Sequence, residues 1–355
     1  MLQYITAREA AEKWNISQRR VSILCAENRI PDVATLGNMW IIPRDAEKPM
    51  DMRKEKQAKP SIKAHPFVKW VGGKGQLVDV LKKNLPENME EKITKYAEPF
   101  VGGGAFLFEL INDYAFEEVY INDNNKELIN VYSAIKNDCD SLVFELQKIE
   151  GDYNKLLAEE QQIFYYQKRT RFNELELDQS TSVEKATLFI FLNKTCFNGI
   201  YRVNKKGDFN VPFGKREYVN VCEPENLFKV SSLLQNVTIK SCDYHDVLSF
   251  VDSSTFVYFD PPYRPLNSTS SFTSYTKDSF SDNDQIELAK TFNELSKKGV
   301  KVMLSNSDPK NVNENDDFFD DLYSGNKIMR VEASRAINSV GSKRGKIKEL
   351  LITNY

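Results

Sequence analysis

The chain has 355 residues, 41% hydrophobic and 28% charged, a balance that suits a globular protein with a large core and room for a second module. No apolar run approaches the roughly 18 residues of a membrane span, and the N-terminus lacks the basic start and apolar core of a secretory signal, so the chain reads as cytoplasmic, without a membrane partner. Five scattered cysteines and two distant histidines, His65 and His245, argue against a disulfide framework and a metal site, and a net charge of −3 admits nucleic acid only through local basic surface.

Residues 1–45 read as a small module. Thr6 and Glu9 have capping-box spacing, and Ala7, Ala10, Ala11 and Trp14 follow at helical spacing. After a turn at Asn15-Ile16, Ser17 can cap a second helix. Val21 and Leu24 mark its inner face, and Gln18, Arg19, Arg20 and Asn28 its outer face. Residues 34–43 predict a hairpin turning at Gly37-Asn38. Two short helices and a hairpin resemble the winged helix-turn-helix modules of excisionase and MerR-like proteins. That resemblance implies a second helix in a major groove, with Gln18, Arg19 and Arg20 near bases or phosphates. A helical hairpin used for protein contact is the alternative. Residues 46–63 are polar, mixed in charge and without apolar periodicity, the pattern of a linker.

Lys69-Trp70-Val71-Gly72-Gly73-Lys74-Gly75 precedes a helix predicted from about Gln76. Its glycines permit close backbone approach to a ligand, Trp70 offers a flat apolar face and Lys74 a positive charge. The spacing does not match a Walker loop. Residues 95–100 predict a first sheet strand. Val101-Gly102-Gly103-Gly104 leads into a helix from Ala105 to about Asn112, and residues 119–122 predict the next strand, ending at Asp123. In such a unit the glycines let a nucleoside cofactor lie over the backbone, and the acid binds ribose hydroxyls. NAD competes, but Gly-x-Gly-x-x-Gly is absent.

Leu128, Val131, Tyr132 and Ile135 mark a further helix, and an apolar helix spans about residues 183–195. Around Asn204-Lys205-Lys206-Gly207 the alternation predicts a β-hairpin with a basic tip. Arg202, Lys205, Lys206, Lys215 and Arg216 interleave with Phe197, Tyr201 and Phe209, supplying charge for phosphates and planar groups for bases. A solvated hairpin is the alternative. Residues 237–240 form a strand before Asp243 and Tyr244; Asp243 suits a cofactor amine or a helix N-cap, and Tyr244 can pack on a cofactor ring.

The strand Ser254-Thr255-Phe256-Val257-Tyr258-Phe259 ends in Asp260-Pro261-Pro262-Tyr263. Two prolines stop a ladder, leaving a stiff loop with a carboxylate, carbonyls and a ring at the carboxyl edge of a sheet, where open α/β sheets bind ligands. A Ser/Thr-rich loop at 264–281, read as mobile and lying over the site, a helix from about Asp282, a strand at 300–305, a basic stretch at 335–348 and a final strand at 349–355 complete the chain.

These segments together resemble the Dam-like, D12-class family of DNA N6-adenine methyltransferases over roughly residues 66–355. The resemblance rests on Lys69 to Lys74, Glu98-Pro99-Phe100-Val101-Gly102-Gly103-Gly104, Asn122-Asp123, Phe197-Asn198-Gly199 through Phe209-Asn210-Val211-Pro212-Phe213-Gly214, Asp260 to Tyr263 and Glu349 to Tyr355. Their order is similar to that of the alpha group of amino-methyltransferases. The resemblance implies an α/β, Rossmann-like methyltransferase sheet carrying a helical and β-hairpin target-recognition insertion, with the small winged helix-turn-helix in front. The expected domains are 1–45 (helix-turn-helix), 46–63 (linker), 64–140 with 237–355 (catalytic) and 141–236 (target recognition).

The resemblance also implies S-adenosylmethionine as cofactor, with Trp70, Gly72, Lys74, Glu98, Phe100, Gly102, Gly104, Asp123, Asp243, Tyr244 and Asp260 as its contacts. Asp260, Pro261, Pro262 and Tyr263 would be catalytic. Lys69, Phe197, Asn198, Arg202, Lys205, Lys206, Lys215 and Arg216 would meet double-stranded DNA. Arg202 suits a guanine edge. Many relatives methylate adenine in GATC, although Lys215-Arg216 stands where the closest GATC enzymes carry Arg-Tyr. The setting expected is either restriction–modification with a cognate restriction endonuclease or an orphan, regulatory methylase, from a bacterial or phage source and at the nucleoid, with no metal required. An N4-cytosine methyltransferase more often carries Ser at the position of Asp260, so the acid favours adenine. A DNA-binding regulator is a further alternative, supported by residues 1–45.

Overall fold

The computed structural model describes residues 4–14, 18–26, 30–37, 39–48, 63–87, 89–178, 181–264, 280–334 and 346–355. The chain divides into two compact units, Met1–Ser61 and Ile62–Tyr355.

The first unit contains β1 (Tyr4–Thr6), α1 (Ala7–Trp14), α2 (Gln18–Ala26), β2 (Ala34–Leu36) and β3 (Met39–Pro43). The strands form an antiparallel sheet of order β1-β3-β2. A capping box opens α1: the Thr6 N–H donates to the Glu9 carboxylate at 2.8 Å, and the Glu9 N–H donates to Thr6 Oγ1 at 3.3 Å. Ala7, Ala10, Ala11 and Trp14 form one stripe that meets Val21, Leu24 and Ile42 in a core of its own. Asn15, Ser17, Asn28 and residues 49–62 of the linker lie outside the described residues, as do the side chains of Arg19 and Arg20.

The second unit is built on a seven-stranded sheet of β4 (Lys95–Glu98), β5 (Glu118–Asn122), β6 (Val237–Lys240), β7 (Thr255–Phe259), β8 (Lys301–Ser307), β9 (Lys327–Ser334) and β10 (Lys346–Thr353), in the order β6-β5-β4-β7-β8-β10-β9. The five strands from β6 to β8 in that order are parallel; β10 runs antiparallel between β8 and β9. Every residue of β7 is fully buried, as a central parallel strand covered on both faces requires. Its side chains alternate: Phe256 and Tyr258 join one core cluster, Val257 and Phe259 the other.

Short helices α3 (Val78–Lys83) and α4 (Met89–Lys92) precede β4, and α5 (Ala105–Asp113) links β4 to β5. The next crossover is long, with α6 (Lys126–Asn137), α7 (Cys139–Asn154), α8 (Ala158–Glu174), α9 (Ser182–Thr195) and α10 (Pro224–Leu234). Buried residues occur all around α9, which packs against α6, α7 and α8. The helix α11 (Asp282–Lys297) links β7 to β8, opening on a Ser281–Asp284 capping box, and α12 (Phe318–Leu322) precedes β9. The chain leaves β4 toward β5 on one side and leaves β7 toward β8 on the other. That is a topological switch point, the place where open α/β sheets bind ligands.

The hairpin around residues 201–211 is short: Val203 bridges Phe209, the Asn204 N–H donates to the Asp208 carbonyl at 2.9 Å and the Asn210 N–H to the Arg202 carbonyl at 3.1 Å, with exposed Lys205 and Lys206 at its tip. The Asn204 side chain closes that tip, accepting the N–H groups of Lys206 and Asp208 at 2.8 and 3.0 Å. Tyr201 and Phe209 do not offer rings to bases. They are 6% and 3% exposed and pack inward, with Tyr201 stacked on Trp70 and Phe189. Residues 265–279, most of the predicted Ser/Thr-rich loop, and residues 335–345 of the basic stretch lie outside the described residues.

Candidate active site

Asp260 follows β7 directly, at the carboxyl edge of the sheet. Its Oδ1 lies 2.9 Å from Lys74 Nζ and accepts the Ser305 hydroxyl of β8 at 3.1 Å. Ser305 is itself 2.8 Å from the Tyr258 hydroxyl. Asp260 Oδ2 and the Pro261 carbonyl have no partner among the described residues. Burial pushes the Asp260 carboxyl above its ordinary range, against the pull of Lys74 and Ser305.

The loop after Asp260 is braced. The Gln285 amide of α11 donates to the Pro262 carbonyl at 3.1 Å, and Asn306 donates to Gln285 Oε1 at 3.1 Å. Arg264 holds Asp282 and Asp316 at 2.7 and 2.8 Å. The Tyr263 hydroxyl accepts from Lys74 and donates to Glu349 Oε2 at 2.5 Å. The loop is therefore rigid at its backbone and tied at its ring.

In the turn between β4 and α5, Gly102 and Gly104 have φ of +48° and +71°, which favour glycine. The protein itself uses the room they leave. A Cβ on Gly102 would fall 2.7 Å from Trp70 Cδ1, and one on Gly104 would fall 2.5 Å from the Tyr132 hydroxyl. Trp70 thus backs the loop, whereas Gly72, with φ of +81°, has open space around it. Asp123 is partly buried, and Oδ2 accepts the Gly102 N–H at 3.0 Å while Oδ1 accepts the Asn125 N–H at 2.9 Å. Each oxygen keeps a lone pair, so the carboxylate can still accept from two adjacent hydroxyls.

Phe100 and Tyr244 pack with ring centroids 5.2 Å apart and form an apolar wall. Asp243 caps a short 3₁₀ turn, accepting the His245 N–H at 2.9 Å, and stays largely exposed. Glu98 is buried beneath the edge and accepts the Tyr96 hydroxyl at 2.7 Å; burial raises its carboxyl well above the ordinary range. The acceptor pair on Asp123, the aromatic wall and the anionic edge fit an adenosine cofactor that carries a positive charge. Among the described residues, no cluster of His, Cys, Asp and Glu side chains could hold a metal ion.

A basic rim adjoins this edge. Lys69, Phe197, Asn198, Arg202, Lys205, Lys206, Lys215 and Arg216 are all exposed. Burial and the nearby charges of Arg216 and Lys194 lower the Lys69 ammonium. Arg202 Nε donates to Asn210 Oδ1 at 2.8 Å. Buried Asn193 ties rim to edge: it accepts the Lys69 N–H at 2.8 Å and donates to the Lys69 and Gly199 carbonyls at 2.9 and 3.2 Å.

Ser305 and Asn193 escape a reading of the sequence, and neither carries a local signal. Glu349 enters that reading only as the first residue of a matched segment, without a role.

Residues 70–337 match the family described as D12 class N6 adenine-specific DNA methyltransferase. Type II methyltransferase M.MjaIII of Methanocaldococcus jannaschii is 49% identical over 296 residues, 83% of this chain and 100% of that protein. Type II methyltransferase M1.LlaDCHI of Lactococcus lactis subsp. cremoris is 38% identical over 84% of this chain and 98% of its own length. The DNA adenine methylase of Escherichia coli K12 is 32% identical over 80% of this chain and 93% of its own. The chain therefore belongs to the D12 class of N6 adenine-specific DNA methyltransferases, enzymes that move a methyl group from S-adenosylmethionine to adenine in DNA.

Proposed function

We propose that the carboxyl edge of β4 and β7 is the methyl-transfer site, with Asp260, Pro261, Pro262 and Tyr263 as its catalytic residues. The observation that carries this is the division of labour at Asp260. Lys74 and Ser305 hold Oδ1, while Oδ2 and the adjacent Pro261 carbonyl remain as two acceptors. An exocyclic amine has two N–H donors to match them.

The amine of adenine is a weak nucleophile because its lone pair is delocalised into the ring. Flipping the base out of the duplex costs a few kcal/mol of stacking and pairing. Tyr263 then stacks on the flipped base, and Asp260 Oδ2 and the Pro261 carbonyl each accept one N6–H. Those two bonds draw the nitrogen toward tetrahedral geometry and stabilise the positive charge that develops on it. S-adenosylmethionine would supply the electrophilic methyl group and leave as neutral S-adenosylhomocysteine, and the methylated nitrogen would then lose one N6 proton to solvent. Asp123 takes the ribose hydroxyls, and Trp70, Gly72, Lys74, Glu98, Phe100, Gly102, Gly104, Asp243 and Tyr244 complete the cofactor side.

Residues 64–140 and 237–355 act as the catalytic domain, and 141–236 as a target-recognition insertion whose rim from Lys69 to Arg216 meets the duplex. GATC is the target that the family resemblance favours. Methylation-sensitive sequencing of host DNA after expression tests it: N6-methyladenine concentrated in GATC is expected, and methylation at another motif overturns that assignment. The name type II methyltransferase, carried by two relatives, supports a restriction–modification setting with a partner endonuclease.

Residues 1–45 act as a winged helix-turn-helix joined through the linker 46–63. Two helices with their own core, a β2–β3 wing and exposed Gln18 at the start of α2 support this reading. Replacing Gln18, Arg19 and Arg20 together by Ala should weaken binding of the full chain to duplex DNA roughly tenfold at moderate salt and reduce its salt slope. kcat on saturating DNA should stay unchanged. Unaltered affinity would remove DNA contact from this unit.

A further inference from the structure

We propose that Glu349 sets the charge of the methyl-transfer site, acting as a positioning residue through Lys74 and Tyr263. Glu349 lies on β10, opposite Ser307 of β8 and Val331 of β9. Its side chain is 15% exposed, and its Oε2 is 3.7 Å from Lys74 Nζ. The same oxygen accepts the Tyr263 hydroxyl at 2.5 Å. Lys74 is 6% exposed and reaches Asp260 Oδ1 at 2.9 Å. One ammonium is therefore shared between two carboxylates, leaving the cluster with a net negative charge.

The consequence follows from the reaction. The methyl donor enters as a sulfonium cation, and positive charge passes to the adenine nitrogen. With Asp260 and Lys74 alone, the two charges cancel and an ammonium faces the incoming cation. Glu349 shares the Lys74 ammonium with Asp260 and leaves a net negative potential at the site. Because these side chains are largely buried, charge interactions are stronger than in bulk solvent. The hydrogen bond to Tyr263 also fixes the ring proposed to stack on the base, so charge and position depend on the same carboxylate.

The inference rests on the cofactor binding beside Asp260, and the two can fail separately. S-adenosylhomocysteine provides the comparison, because it lacks only the methyl group and its positive charge. Titration calorimetry of the full chain would measure both ligands. Glu349→Gln, which keeps the shape and an acceptor for Tyr263, should weaken S-adenosylmethionine about thirtyfold while changing S-adenosylhomocysteine less than about threefold. Glu349→Asp should keep the wild-type ratio. Adding Lys74→Met to Glu349→Gln should restore the preference for the cation by removing the uncompensated ammonium. Equal weakening of both ligands in Glu349→Gln, or no change in either, overturns the proposal. If Glu349→Gln does not fold, Lys74→Met alone decides: it should raise the ratio in favour of S-adenosylmethionine, and an unchanged or lowered ratio overturns the proposal. Full methyl transfer by an Asp260→Ala variant would overturn the site itself.

Discussion

Asp260→Ala should abolish methyl transfer, lowering the single-turnover rate at least about a thousandfold, while affinity for duplex DNA stays within about threefold of wild type. The asymmetry follows from where the carboxylate lies. It adjoins none of the exposed basic residues of the rim, so DNA binding loses nothing directly. At the reacting centre it supplies one of two acceptors that shape the amine, and no other carboxylate oxygen takes its place: Glu349 is engaged with Tyr263 and Lys74, and Glu98 with Tyr96. The fold should survive, because Lys74 keeps Glu349 and the loop backbone keeps Gln285. Asp260→Asn separates charge from shape. Its amide oxygen can still accept, so it should retain more activity than Ala and far less than wild type. Rapid-quench transfer of a labelled methyl group measures both, and an active Asp260→Ala enzyme would refute the assignment.

Gly214→Ala should uncouple DNA reading from a cofactor site left intact. Its φ is not the issue; space is. A Cβ there would lie 2.5 Å from the Cys196 carbonyl oxygen and 2.7 Å from that of Thr195. Neither can retreat easily. Both residues are fully buried at the end of α9, the Gly214 N–H donates to the Thr195 carbonyl at 2.9 Å, and the Phe197 N–H donates to the Pro212 carbonyl at 2.9 Å. The strain should push Lys215 and Arg216 away from Phe197 and Asn198. Overpacking of this kind costs about 1–3 kcal/mol of stability. DNA affinity should fall at least about tenfold and kcat/KM about a hundredfold through loss of aligned contacts. Binding of S-adenosylhomocysteine should be unchanged. Fluorescence anisotropy with a labelled duplex, alongside calorimetry, would show the split; equal loss of both ligands would mean that the substitution unfolds the unit.

What is legible in the sequence is what lies close along the chain. β7 is a continuous apolar run because both of its faces are covered, and Asp260 follows it directly. The glycines before α5 and the acid after β5 stand in one short unit, so Asp123 stands out from its spacing alone. The rest depends on partners far apart. Ser305 meets Asp260 across 45 residues, Glu349 meets Tyr263 across 86, and Asn193 meets Lys69 across 124. No local pattern encodes such pairs. Tyr201 and Phe209 mislead for a different reason. A ring between basic residues looks the same in sequence whether it faces solvent or core; the strand alternates, but it is Phe209, Val211 and Phe213 that are buried, with half-buried Asn210 and exposed Pro212 between them. The glycines at 102 and 104 are points of close approach, as their pattern suggests, but the near groups are Trp70 and Tyr132.

The most direct test of the site is a crystal structure of the full chain with S-adenosylhomocysteine and a duplex carrying its target adenine. That adenine is expected outside the helix, its N6 within hydrogen-bonding distance of Asp260 Oδ2 and the Pro261 carbonyl, and the Tyr263 ring against its face. An adenine still stacked in the duplex, or an N6 held by other residues, would contradict the proposed site.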